Sequence, residues 1–113
     1  MTPEVQARII AIRPDLFALH WPAFDCGDGW AGILERLVAS IAALDDLPPG
    51  FSIVQVKEKF GGLRFYVSCE NDEIERLISD AERESFRTCE KCGAPGRLRD
   101  DRAWYTTLCE AHA

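Results

Sequence analysis

Cys89, Cys92, Cys109 and His112 stand near the end of the chain as C-x2-C-x16-C-x2-H, with a two-residue gap inside each pair. Such a gap lets two side chains of one tight turn reach a single ion, and thiolates with an imidazole are donors that tetrahedral zinc prefers. Gly93 follows the second thiol, where a left-handed backbone would close a knuckle whose amides point at the sulfurs. Lys91 adds a positive charge beside ligands that would carry more negative charge than the ion neutralises. The expectation is a structural Zn2+, because four protein ligands leave no coordination position open to a substrate. Disulfides and a redox C-x2-C are the competing readings. An odd total of five cysteines, and an acidic Met1-Thr2-Pro3-Glu4 start without the apolar run of a secretory signal, favour reduced thiols and a cytoplasmic location. A redox pair would also leave Cys109 and His112 without a purpose.

Two further groups could do chemistry. Cys26 lies in Asp25-Cys26-Gly27-Asp28-Gly29-Trp30, a turn opening into a helix, where a thiol pKa is depressed. His20 and a nearby Asp could complete a nucleophilic set with it. The simpler reading makes Asp28 the helix cap, the glycines a turn, Trp30 an anchor and Cys26 a small buried filler. Glu58 falls on the apolar face of a hairpin, where desolvation raises a carboxyl pKa unless a donor reaches it. A catalytic acid is the sharper reading of Glu58 and a satisfied buried hydrogen bond the plainer one. The balance is against an enzyme, with Cys26 and Glu58 as the centres of the enzymatic alternative.

The elements that must position these groups follow from periodicity. A helix over 3–12 is capped by Thr2, carries Pro3 at its first position and turns Val5, Ile9, Ile10 and Ile12 inward. A short turn over 15–20 ends at Trp21-Pro22. Trp30, Ile33, Leu34, Leu37, Val38, Ile41 and Leu44 recur at helical spacing and predict a core helix over 29–46. A helix over 73–87 is capped by Asn71 or Asp72 and buries Ile74, Leu77, Ile78, Ala81 and Ser85. Between them, 51–69 reads as a hairpin with Gly61-Gly62 as its two-residue loop. That places Phe60 opposite Leu63, Glu58 opposite Phe65, Val56 opposite Val67 and Val54 opposite Cys69 on an apolar face. The other face presents Gln55, Lys57, Lys59, Arg64, Tyr66 and Ser68, with Lys57 opposite Arg64.

Beyond the third helix, Arg97–Arg99 and 103–108 read as short strands joined by Asp100-Asp101-Arg102, the outline of a zinc ribbon or truncated treble clef. The predicted fold is therefore α+β. Helices pack on one face of a small antiparallel sheet in a core domain over 1–88, and a zinc-binding module over 89–113 packs on it.

Charge narrows the partners. The chain has 13 Lys and Arg against 19 Asp and Glu, a formal net charge of −6, which disfavours broad binding to phosphate backbones. No stretch has the apolar length to span a bilayer. Like charges facing each other across a ladder are mildly destabilising, so Lys57 opposite Arg64 asks for a reason. One reason is that lysines blunt a sheet edge and keep it soluble. The sharper one is a partner-binding face of Lys57, Lys59, Arg64 and Tyr66. The first expectation is a non-enzymatic, zinc-stabilised protein-interaction module. The alternative is a nucleic-acid-binding zinc module that adds Arg97, Arg99 and Arg102.

The segments Cys26-Gly-Asp-Gly-Trp30, Gln55-Val-Lys-Glu-Lys-Phe-Gly-Gly-Leu-Arg-Phe-Tyr66, Cys89-x2-Cys92-Gly and Leu108-Cys-Glu-Ala-His112 together resemble small uncharacterised proteins of bacteriophages and prophages. The resemblance covers nearly the whole chain from Asp25 onward. It implies a cytoplasmic accessory or inhibitor protein of a phage-like element, with the same zinc ligands.

Overall fold

The computed structural model describes residues 1–18 and 24–113. His20 and the Trp21-Pro22 end of the expected turn lie outside the described residues, and the part that is described contains a single helical turn at Pro14–Leu16. Three helices carry the core. Helix α1, Pro3–Ile10, begins as expected, with Thr2 Oγ1 accepting the Val5 N–H at 3.4 Å and Pro3 in the first turn. It buries Ile9 and half-buries Val5 and Ile10, whereas Ile12 lies beyond the helix and is exposed.

Helix α2, Ala31–Ala42, is entered through a tight turn at Asp28–Trp30 and buries Ile33, Leu34, Leu37, Val38 and Ile41. It ends before the expected residue 46. The Leu44 N–H bonds Ile41 O instead of the carbonyl four residues back, which tightens the last turn ahead of Asp45-Asp46. Asp28 does not cap this helix. Its carboxylate accepts the Thr2 backbone N–H at 2.8 Å, so it ties the start of α1 to the start of α2.

Helix α3, Asp72–Ser85, is capped by Asn71, whose Oδ1 accepts the Ile74 N–H at 3.0 Å. Asp72, Glu73 and Glu75 in its first turn complement the helix dipole. Helix α2 packs between α1 and α3, and α3 lies against the first hairpin.

That hairpin, β1 Ile53–Lys59 and β2 Gly62–Val67, has a different register from the one expected. Lys59 pairs with Gly62, Glu58 with Leu63 and Val56 with Phe65, so the loop residues are Phe60 and Gly61. Both have positive φ, 55° and 85°, as a two-residue hairpin turn demands. Gly62 is glycine for another reason: a Cβ there would stand 2.2 Å from Cζ of Phe86, so the position belongs to a buried strand under an aromatic ring. A bulge between Ile53 and Gln55 then turns Ile53 fully inward and leaves Val54 exposed, opposite to the expected alternation. In this register Lys57 pairs with Arg64 on the outward face, whereas a Gly61-Gly62 loop would set Lys57 against Tyr66 and Lys59 against Arg64.

A lone two-stranded ribbon is marginal in water, but both edges of this one are occupied. Along β1, the Ala18 N–H reaches Ile53 O, the Asp25 N–H reaches Val56 O, and Asp25 O accepts the Glu58 N–H at 2.8 Å. Along β2, Ser85 Oγ accepts the Leu63 N–H at 2.9 Å and Glu82 Oε2 accepts the Phe65 N–H at 3.0 Å. The inward face of Ile53, Val56, Leu63 and Phe65 joins the helices in one apolar core.

A second antiparallel pair follows, β3 Arg97–Arg99 with β4 Thr106–Leu108. Among the described residues the architecture is thus α+β with three helices and two small antiparallel sheets. The strand expected over 103–108 starts at Thr106, and Ala103, Trp104 and Tyr105 belong to the loop before it. None of the described helices is long and apolar enough to cross a membrane.

Candidate metal centre

Helix α3 delivers the chain into the first ligand pair. The Cys89 N–H bonds Ala94 O at 2.8 Å and the Gly93 N–H bonds Cys89 O at 2.9 Å, closing a knuckle in which Gly93 has φ 81°. Leu108 ends β4, and Cys109 leads into a single helical turn, Glu110–His112, that carries the second pair. The β3–β4 pairing and a bond from the Glu90 N–H to Thr107 O hold that turn over the knuckle.

The four ligand atoms of Cys89, Cys92, Cys109 and His112 all lie within 4.8 Å of one another. Cys92 Sγ stands 3.7 Å from Cys109 Sγ, and His112 Nδ1 stands 3.7 Å from Cys89 Sγ and 3.2 Å from Cys109 Sγ. Bonds of about 2.3 Å to sulfur and about 2.0 Å to nitrogen require tetrahedron edges of roughly 3.5–3.8 Å, so the spacing suits one ion bound by all four. Burial opposes ionisation of Cys89, but amides of Cys109, Cys92 and Lys91 outweigh it and bring the thiol down to about 6. At Cys92 the Ala94 amide favours the thiolate, yet burial and the sulfurs of Cys109 and Cys89 raise the pKa. A cation would relieve that crowding of sulfurs. Arg99 is also nearby and buried, its guanidinium donating to Leu108 O and to Glu110 Oε1.

The knuckle is fastened directly to the core. The Gly29 N–H donates to Glu90 O at 2.7 Å, and the Gly27 N–H donates to Glu90 Oε2 at 2.9 Å. A Cβ on Gly29 would lie 2.1 Å from Cys89 O, and one on Gly27 would lie 2.3 Å from Glu90 O. Both glycines in the segment before α2 therefore exist because another backbone occupies the space of their side chains. Trp30, fully buried, donates from Nε1 to Thr88 O at 2.9 Å beside the same junction. On the other side, Thr107 Oγ1 donates to Gly61 O at 2.6 Å, and Leu98 packs where a Gly61 Cβ would be.

The other sequence-expected groups fall elsewhere. Cys26 is buried, and burial together with the charge of Glu90 pushes its thiol up to about 12, so it is a protonated filler at neutral pH. Glu58 is on the Val56 side of the hairpin, as expected, but its Oε2 is taken by the turn amide of Gly61 at 2.7 Å, not by a donor from a packed helix. Lys57, Arg64 and Tyr66 lie on the outward face of the hairpin, and Lys59 places its Nζ 5.5 Å from the centroid of Phe60. Of the three arginines near the ligands, Arg99 is buried and already engaged.

The structure also brings together residues that the sequence did not single out. Phe60, Trp104 and Tyr105, exposed by 66%, 81% and 47%, line one groove of about 680 Å³ with Glu58 and Glu90. Burial pushes the Glu90 carboxyl up; the Gly27 amide opposes this and the charge of Glu58 reinforces it. The available signal was Trp104-Tyr105 one residue after the charged run Arg99-Asp100-Asp101-Arg102, an aromatic pair that is costly to expose without a reason.

Comparison with protein-family models, curated proteins and solved structures finds no match for this chain. The phage-type resemblance thus gains no support, and what stands is a Cys3His cluster able to hold a metal ion.

Two outcomes follow from this geometry. Gly29→Ala should displace the Cys89–Glu90 peptide, lowering stability by about 1–3 kcal/mol in urea titration and speeding metal loss to a chelator about tenfold. Gly50→Ala, where a Cβ meets nothing within 4 Å but φ is 78°, should lower stability through backbone strain and leave the chelation rate unchanged; equal rates for the two variants would contradict the docking contact. Iodoacetamide at neutral pH should label the native metal-loaded protein at Cys69 and spare Cys26, whose thiolate becomes accessible only near or above its raised pKa. Rapid Cys26 labelling in peptide mass maps would restore the nucleophile.

Proposed function

We propose that the chain is a non-enzymatic protein-interaction module whose C-terminal segment is held by a structural zinc ion. The donor set supports zinc over other ions: three thiolates and one imidazole in tetrahedral spacing suit a closed structural site. The segment has little else to fold around. Its own apolar cluster is Cys89, Leu108 and Cys109 with Ala94 against it. Burying one leucine contributes about 1.5–3 kcal/mol, whereas structural zinc contributes about 10–16 kcal/mol in small zinc-dependent peptides. The β3–β4 hairpin between the two ligand pairs supports a zinc-ribbon or treble-clef-like type for this module.

One observation carries the interaction reading: three large aromatics are displayed together at the metal-bearing end. Clustered exposed aromatics mark contact sites, and Trp and Tyr are enriched among the residues that dominate protein interfaces. The basic face of Lys57, Lys59, Arg64 and Tyr66 is a second contact surface on the same reading. Its like-charged pair does not serve to blunt a bare edge, since both edges of the hairpin are occupied. Nucleic acid is the weaker alternative, with a net charge of −6 and with Arg99 committed to Leu108 and Glu110. A cytoplasmic location fits thiols kept reduced for a metal, and an accessory role in a phage-like element rests on the sequence resemblance alone.

Two measurements on the metal-loaded protein test this reading. Mobility-shift titrations with DNA and RNA oligonucleotides at low salt should show no complex, and affinity capture from an extract of the native host should retain a protein released when the metal is chelated. A nucleic-acid complex that weakens steeply with salt would instead establish the alternative.

A further inference from the structure

We infer that the groove between the hairpin turn and the metal-bearing loop is a receptor for a cationic side chain, arginine before lysine, presented by an exposed segment of a partner protein. This rests on the interaction reading above and names the chemistry of its partner.

The groove joins elements that are far apart in the chain. Glu58, Lys59 and Phe60 come from the first hairpin; Glu90 follows the first ligand, Ala103 to Tyr105 precede β4 and Thr106 begins it. Its walls are aromatic, with Phe60, Trp104 and Tyr105 all solvent-facing. Two carboxylates line it, Glu58 and Glu90, and each uses Oε2 to accept a backbone N–H, from Gly61 and Gly27 respectively. A carboxylate can accept several hydrogen bonds, so both keep capacity for a further donor. Both carboxylates line the same groove, so a cation seated there faces two negative charges.

Aromatic faces beside carboxylates are complementary to guanidinium and ammonium groups. The ring quadrupole attracts the cation, and the planar fork of arginine adds directional bonds to carboxylate oxygen. The protein already shows this contact internally, since the Lys59 ammonium lies over the Phe60 ring. Lys91 and Arg102 line the adjoining groove, which shares Glu90 and Trp104 with this one; Arg102 pairs with Asp101. The acidic balance of the whole chain draws a basic partner and repels an acidic one. Because Trp104, Tyr105 and Glu90 belong to the metal-held segment, the receptor exists only while that segment is docked.

The test is a nuclear magnetic resonance titration of the metal-loaded protein with short glycine-spaced arginine, lysine and glutamate peptides. The arginine peptide should shift the amides of Glu58, Phe60, Glu90 and Tyr105 and the Trp104 indole, with lysine weaker and glutamate silent. Trp104→Ala and Glu58→Gln should each weaken arginine binding by about tenfold or more. Both are mild changes for the fold: Trp104 is 81% exposed, and glutamine still offers the Gly61 amide an oxygen. Retained metal and an unchanged melting temperature confirm folding in each. Arg76→Gln, exposed on α3 and outside the groove lining, should change binding less than about twofold. Equal binding of the glutamate peptide, no binding of the arginine peptide, or wild-type affinity in Trp104→Ala and Glu58→Gln would overturn the receptor. A host protein still captured by those two variants but lost on charge reversal of Lys57 and Arg64 would overturn the groove while leaving the interaction reading intact. Failure of every form to capture a protein would remove that reading as well.

Discussion

Four ligand atoms, rather than an apolar core, organise the last quarter of this protein. Cys89, Leu108 and Cys109 make up its buried cluster, with Ala94 against them, and two three-residue strands are its only sheet. A ribbon that short cannot offset the conformational entropy of its own ordering. A cation bound by all four ligands would supply the cross-link that the apolar residues do not, and the amides aimed at the Cys89 sulfur favour its thiolate, the form that ligates metal.

The consequence reaches into the larger core, because the two units meet backbone to backbone. The Cys89–Glu90 peptide rests on Gly27 and Gly29, Trp30 reaches Thr88 O, and Thr107 bonds the carbonyl of the hairpin turn. The two glycine contacts have no side chain to adjust, so a small displacement of the knuckle is transmitted directly. Metal occupancy, docking and the aromatic groove are on this view one structural state. The groove draws its walls from both partners in the junction.

Much of this was legible in the chain itself. The stripe of α2, the cap at Asn71 and the spacing of the ligand pairs are local signals, and local signals survive folding. What was missed depends on neighbours distant in sequence. The two-glycine step at residues 61 and 62 looks like a hairpin loop, but Phe86 claims the space above Gly62 and shifts the loop to Phe60-Gly61. Asp28 has the ideal type and position for a helix cap, yet Thr2 reaches it first. The glycines before Trp30 read as a turn, and no periodicity announces that a zinc-type knuckle lies on them. The exposed aromatics were hidden for the same reason: 103–108 is rich in the aromatic and β-branched residues of a strand, and only the short pairing with β3 leaves Trp104 and Tyr105 in a loop.

Electrostatics divides the surface in a way the net charge conceals. The outward face of the first hairpin is basic, while the groove at the junction carries two carboxylates among aromatic rings. The groove draws part of its lining from the loop before β4. The most direct measurement is X-ray absorption at the zinc edge of protein purified without added metal. About one equivalent of zinc is expected, with three sulfurs at about 2.3 Å and one nitrogen at about 2.0 Å. A folded protein without stoichiometric metal, or a first shell dominated by oxygen, would contradict it.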